Sequence, residues 1–192
     1  LSLCEAGGYS YTGSLQANQW VPTALGTLKP SGLVPLTMDA TGLKSAETVS
    51  VVGFDGLKDY SAKVIAEGLA RYPGYGKNYS IVSLRTGLEN GRDLSALDVA
   101  RWLDTETGLE SFLKQISRSV GPHGILLLPP VLGTRPDYRL FEKIEQATQC
   151  RVMETVGLPP AVTGFRLRKL LLDCLKKLNV RIVEQAGVIG AV

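Results

Sequence analysis

From residue 48 onward, short apolar or β-branched runs alternate with amphipathic stretches of helical period, and this alternation constrains the fold more than any other feature. Thr48 to Phe54 (T-V-S-V-V-G-F) reads as a strand ending beyond a glycine, and Asn78 to Leu84 as a second. His123 to Pro129 (H-G-I-L-L-L-P) is a continuous apolar run, as a strand buried on both faces requires. Cys150 to Glu154 and Val180 to Val183 supply a fourth and a fifth. Between them lie helices. One is capped by Asp59, with Val64, Ile65, Leu69 and Tyr72 inward, and a short one runs from Ser95 to Leu103. A third opens on the capping-box pattern Thr107-Gly108-Leu109-Glu110 and turns Leu109, Phe112, Leu113, Ile116 and Val120 inward. Asp137 begins a fourth, with Leu140, Phe141, Ile144 and Ala147 inward. The longest, Val162 to Leu178, has an expected core stripe of Leu167, Leu170, Leu171, Cys174, Leu175 and Leu178, and an outer stripe of Arg166, Lys169, Asp173, Lys176 and Lys177. Strands separated by helices mean βαβ crossovers. The expected fold is therefore α/β: a three-layer sandwich with a mainly parallel sheet of about five strands.

Residues 1–46 carry much Gly, Pro, Ser and Thr, and Pro22, Pro30 and Pro35 break any helix there. They are expected to be an extended N-terminal segment, either packed on the α/β domain of residues 47–192 or belonging to a neighbouring domain. The chain begins at Leu1 and ends on the apolar Gly187 to Val192, which reads as an excised piece of a longer protein.

Composition removes several classes of function. The 192 residues carry a net charge of +3 with no basic run interleaved with aromatics, which argues against nucleic acid as a partner. Cys4, Cys150 and Cys174 form no C-x-x-C pair, and His123 is the single histidine, so a Cys/His zinc site is not expected. Sparse, odd cysteines fit a reducing compartment. No signal peptide is visible. The longest apolar runs, Ile125 to Pro130 and Leu170 to Leu172, are too short to span a bilayer.

In an open parallel sheet, ligands bind beyond the carboxyl ends of the strands. That rule selects three loops: Gly53 to Lys58, Pro129 to Pro136, and Gly157 to Gly164. Each leads into a helix N-terminus, where free N–H groups favour an anion. Lys58, Arg135 and Arg166 add positive charge, Thr134 and Thr163 add hydroxyls, and Gly164 lies in the turn between them. These six residues are the expected anion or substrate ligands. The same pattern also has a plain reading, because short βα turns need glycine and a first-turn arginine is commonly solvated. His123 precedes a strand, on the side of the sheet opposite these loops. There is no G-x-S-x-G elbow, no Walker A loop and no G-x-G-x-x-G, and no catalytic residue can be named.

Several segments are more specific than this pattern. They are Val21 to Pro30 (V-P-T-A-L-G-T-L-K-P), Val51 to Tyr60 (V-V-G-F-D-G-L-K-D-Y), Asp98 to Asp104, Leu128 to Gly133 (L-P-P-V-L-G), and Leu158 to Leu167 (L-P-P-A-V-T-G-F-R-L). In this order they resemble the B subunit of anaerobic glycerol-3-phosphate dehydrogenase, over about residues 16–185. The resemblance implies a flavoprotein whose dinucleotide-type fold is built from segments flanking an inserted domain. It would work beside an A subunit and a membrane-associated iron–sulfur C subunit. The implied reaction is oxidation of sn-glycerol 3-phosphate to dihydroxyacetone phosphate, with electrons passed to quinone.

The present sequence lacks the glycine fingerprint of the flavin fold, so it resembles the inserted cap domain alone. FAD or FMN is then expected in the parent and none in the isolated chain, which by itself would be inactive. The implied location is cytoplasmic, at the inner face of the membrane only through a partner subunit. Under this reading Arg166 and Thr163, with Arg135 and Thr134, hold the substrate phosphate. Two other readings stay open: a free-standing flavodoxin-like module that binds FMN through the same loops, and a non-catalytic domain that docks one subunit on another. The first loop, Gly53 to Lys58, has no Ser or Thr to cradle a flavin phosphate, which counts against the FMN module.

Overall fold

A computed structural model describes residues 9–14, 16–76, 78–187 and 190. Cys4 and most of the apolar Gly187 to Val192 stretch lie outside the described residues. The centre is a parallel sheet of four strands: β5 (Val49–Phe54), β6 (Tyr79–Leu84), β7 (Ile125–Leu128) and β8 (Arg151–Glu154), in the order β6-β5-β7-β8. Val51 pairs with Ile81 on one side and Leu127 on the other, and Leu128 pairs with Glu154, so β5 and β7 are interior; β7 is an unbroken apolar run and β5 has Ser50 as its one polar residue.

Period-2 alternation sends the strands' side chains into two separate cores. Val49, Val51, Ile125, Leu127 and Met153 pack with Ile65 and Leu69 of α1 (Ala62–Leu69), together with Leu43. Val52, Phe54, Leu126, Leu128 and Val152 face the other way. They meet Val99 and Leu103 of α2 (Ala96–Leu103), Phe112 and Ile116 of α3 (Glu106–Ile116), and Ile144 of α4 (Arg139–Thr148). The result is the three-layer α/β arrangement the alternation predicts.

Residues before the sheet form two small antiparallel pairs, β1 (Tyr11–Gly13) with β4 (Leu33–Pro35) and β2 (Gln19–Pro22) with β3 (Leu28–Ser31). The segment touches the sheet's β8 end. Thr23 bridges Val156, the Ala24 amide donates to the Val156 carbonyl at 2.9 Å, and Arg151 pairs with Asp39 at 2.8 Å.

Helix starts follow the side chain that can reach the free amides. Ser61, not Asp59, caps α1, because Asp59 sits at φ 62° two residues before the cap. Ser95 and Asp98 form the full capping box of α2. Thr105, not Thr107, caps α3 by accepting from the Gly108 amide at 3.1 Å.

Val180 to Val183 do not form the expected fifth strand. After α5 (Val162–Lys177), Asn179 enters the left-handed region at φ 55° and the Val180 amide donates to the Leu175 carbonyl. That reversal carries the chain back beside its own helix, where Glu184 pairs with Arg168, so Val180 to Val183 never reach the sheet edge. The face of α5 is also corrected. Val162, Arg166, Leu170 and Cys174 are buried, whereas Leu167, Leu171 and Leu178 are exposed. Arg166 belongs to the core stripe, not the outer one.

Candidate functional site

The carboxyl ends of β5, β7 and β8 open onto two neighbouring regions, one a cleft and one sealed. The cleft has a volume of about 380 Å³. Its floor and walls come from Leu57 to Tyr60 after β5, Arg92 to Ser95 before α2, Ala96 and Asp98 in its first turn, Pro129–Pro130 after β7, and Gly157 to Pro160 after β8, with Ala24 at one side. Two loops are locked together across it. The Leu94 amide donates to the Gly56 carbonyl at 2.7 Å and the Lys58 amide to the Leu94 carbonyl at 2.8 Å. Four prolines (129, 130, 159 and 160) give one wall little freedom, and the Pro159–Pro160 peptide is cis.

The cations here are Lys58 and Arg92, and the anions are Asp59, Asp93 and Asp98. Asp98 is committed elsewhere. Its Oδ2 accepts from the Ser95 amide at 2.9 Å and the Ser95 hydroxyl at 2.8 Å, and these bonds hold its carboxyl below the usual carboxylate range. Arg92 lies 3.6 Å from Asp98. Lys58 is exposed and has no carboxylate within ion-pair distance among the described residues. Burial raises the Tyr60 phenol far above its ordinary value, so it stays protonated at the base of the cleft.

The sealed region holds Arg166. Its guanidinium is 1% exposed and forks onto Glu154, with Nη1 to Oε2 at 2.7 Å and Nη2 to Oε1 at 2.9 Å. Its Nε donates to the Gly133 carbonyl at 2.9 Å. Glu154 also accepts from the Leu132 amide at 2.8 Å. Burial alone would lower the arginine's pKa, but the charge and hydrogen bonds of Glu154 outweigh it and raise the value. Three of the guanidinium's five N–H donors are therefore spent on protein, and Arg166 ties α5, β8 and the loop after β7 into one unit. Next to it, Thr134 is taken up by Asp104. The Thr134 hydroxyl lies 2.6 Å and its amide 2.9 Å from the same carboxylate oxygen.

The six expected ligands thus separate. Lys58 lines the cleft. Arg166 lies in the sealed region, and Thr134 is half-buried beside it, its hydroxyl and amide occupied by the exposed Asp104. Arg135 lines a second depression of about 250 Å³, with Asp137 and Arg139. Thr163 and Gly164 occupy the first turn of α5, and neither lines the cleft. Glu154, Arg92 and Tyr60 were not among the expected residues. Glu154 did carry a signal, an ionisable residue closing an apolar strand, V-M-E, where a buried charge demands a partner. His123 sits in the turn before β7, its amide bound to the Gln149 carbonyl, at the end of the sheet away from the cleft. No group of three or more metal-binding side chains occurs among the described residues, nor does a helix long and apolar enough to cross a membrane.

Comparison with known proteins gives one consistent relationship. The chain is 28% identical over 162 residues to the B subunit of anaerobic glycerol-3-phosphate dehydrogenase from Vibrio cholerae, covering 81% of this chain and 37% of the relative. The same protein of Mannheimia succiniciproducens is 25% identical over 187 residues, covering 93% of this chain and 43% of the relative. That of Pasteurella multocida is 23% identical, with 93% and 44% covered. The chain is a distant relative of one part of these proteins and spans about two fifths of their length. No family model matches it, and no solved structure matches it.

Proposed function

We propose that this chain is the substrate-side cap domain of a flavin-dependent oxidoreductase that oxidises sn-glycerol 3-phosphate to dihydroxyacetone phosphate and passes the electrons to quinone. The observation that carries this reading is the relationship to the B subunit of anaerobic glycerol-3-phosphate dehydrogenase across 81% to 93% of the chain. The domain would act beside other subunits, on the cytoplasmic side, and reach the membrane through one of them.

The residues present do not fit a flavin held by this chain alone. In a flavodoxin-like module the amides after the first strand cradle the phosphate. Here the Leu57 amide is bound to Phe54 and the Lys58 amide to Leu94. The flavin is therefore assigned to the part of the parent that this chain does not match, where it would supply the hydride acceptor. The chain's own contribution is to bind and shield. Of the expected anion ligands, Lys58 carries this role, joined by Arg92 across the cleft. The proline wall and the apolar floor of Leu57 and Leu94 exclude water from a substrate seated there. Arg166, with Glu154, braces the loops that shape the cleft.

Calorimetric titration of the chain with sn-glycerol 3-phosphate, and with glycerol as the uncharged control, tests the site. Binding of the phosphate ester alone, lost in Lys58→Ala, is expected. Equal binding by Lys58→Ala, or none by the unaltered chain, would remove the site. A flavin fluorescence titration separates the remaining alternative, since saturable low-micromolar FMN binding would make the domain a flavin carrier and end the cap reading.

A further inference from the structure

Helix α5 is apolar on more faces than the protein covers. Of the six leucines between 167 and 178, only Leu170 is buried. Leu171 is 40% exposed, Leu178 61% and Phe165 41%. The returning segment adds Val180 and Val183, both exposed.

Charge identifies what could cover this face. Residues 162–187 hold six Lys and Arg against two Asp and Glu, a net of +4, while the rest of the chain holds 15 against 16. The protein's entire positive excess therefore sits on α5 and the segment that follows it. Arg166 is internal, and the other five basic residues are exposed. At 3.6 residues per turn, the solvent arc carries Arg168, Lys169 and Lys176 among Leu167, Leu171 and Phe165. The helix's acid, Asp173, is exposed as well, one turn from Lys169, Lys176 and Lys177, and Arg168 pairs with Glu184, so this face sets five exposed cations against two exposed acids. A second copy of this chain would bring like charge against like charge. A protein groove would have to desolvate cations set between leucines. An anionic bilayer surface accepts both, because Lys and Arg stems lie along the apolar residues while their heads meet lipid phosphates.

We propose that α5 and the segment after it form a direct docking face for an anionic lipid surface, with the leucines and Phe165 entering the headgroup boundary. This stands on α5 alone and does not depend on the cap-domain reading, in which membrane contact is only indirect.

Co-sedimentation of the full chain with vesicles of phosphatidylcholine and phosphatidylglycerol tests it. Binding to mixed vesicles, little to pure phosphatidylcholine, and weakening at high salt are expected. Lys169→Glu/Lys176→Glu should weaken binding more than tenfold, at about fivefold or more for each charge lost from the surface. Leu167→Ser/Leu171→Ser should weaken it as well, and neither exposed pair should alter the melting temperature. Absence of binding to mixed vesicles, or equal binding by the variants, would overturn the proposal. So would lipid-free dimerisation that the leucine substitutions abolish, which would assign the face to a second copy.

Discussion

The two regions beyond the carboxyl edge of the sheet look alike in sequence and are opposite in physics. Both come from glycine- and proline-containing loops leading into helices, and both contain a cation. At Arg166 the cation is buried, forked onto Glu154 and capped by the Gly133 carbonyl. At Lys58 the cation is exposed beside a cleft of about 380 Å³, with no carboxylate on it among the described residues. What separates them is not the cation or the turn but the residue closing the preceding strand. β8 ends in a carboxylate that must be neutralised inside the protein, whereas β5 ends in Phe54 and asks nothing of Lys58. A basic residue in a βα loop is free for a ligand only when no buried acid has a prior claim on it.

Breaking the sealed region should give the largest effect. Glu154→Gln leaves a buried guanidinium without its counter-charge, and a loss of about 3–5 kcal/mol is expected from denaturant unfolding. The double variant Glu154→Leu/Arg166→Met removes both charges and should recover most of that loss. If the double variant is as unstable as the single one, the pair matters for shape and not for charge balance. Gly133→Ala should cost less, about 1–3 kcal/mol. Its φ is +73°, and an added Cβ would lie 2.5 Å from the Asp104 carboxylate that holds Thr134.

That contrast also marks what could be read before the fold was known. The four sheet strands lie within a residue or two of their expected bounds at most ends, because apolar runs such as Ile125–Leu128 have no other use. The helical periods were equally plain where one face is core, as with Phe112 and Ile116. Reading failed where a residue type fits two environments. Five leucines on α5 pointed to Leu167 and Leu171 as core, yet the buried stripe runs through Arg166 instead. Val180 to Val183 have the composition of a strand, but a left-handed Asn179 turned them away from the sheet. In the candidate site, Lys58 was identified from the loop it occupies. Arg92 was not, because its place depends on the Leu57–Leu94 bridge, a contact between segments far apart in the chain.

The open region is expected to respond more weakly to substitution. Ser95→Ala removes the cap of α2 and should cost about 1 kcal/mol at neutral pH. Asp98 shares that cap, and its pKa in the folded protein is lowered by the Ser95 bonds. A depressed carboxylate stabilises the fold at pH values above its unfolded pKa, and this contribution disappears as pH falls through the folded value. The Ser95→Ala deficit should therefore be full at neutral pH and shrink in acid below about pH 4. A deficit that stays constant across that range would mean the serine acts without Asp98.

Smallest in stability, and most informative about function, are Lys58→Ala and Arg92→Ala. Lys58 has no ion pair to lose, so its unfolding free energy should stay within about 0.5 kcal/mol of the unaltered chain. Arg92 gives up one largely exposed contact to Asp98 at 3.6 Å, worth about 0–1 kcal/mol. Two cations that cost the fold almost nothing, unlike Arg166, are what a binding edge should contain. If both hold one bound phosphate ester, each single variant should weaken its affinity, and the double variant should weaken it by less than the two effects combined. Strict additivity would place them on separate groups of the ligand. A large stability loss in Lys58→Ala would move the lysine into the same structural class as Arg166 and erase the contrast between the two regions.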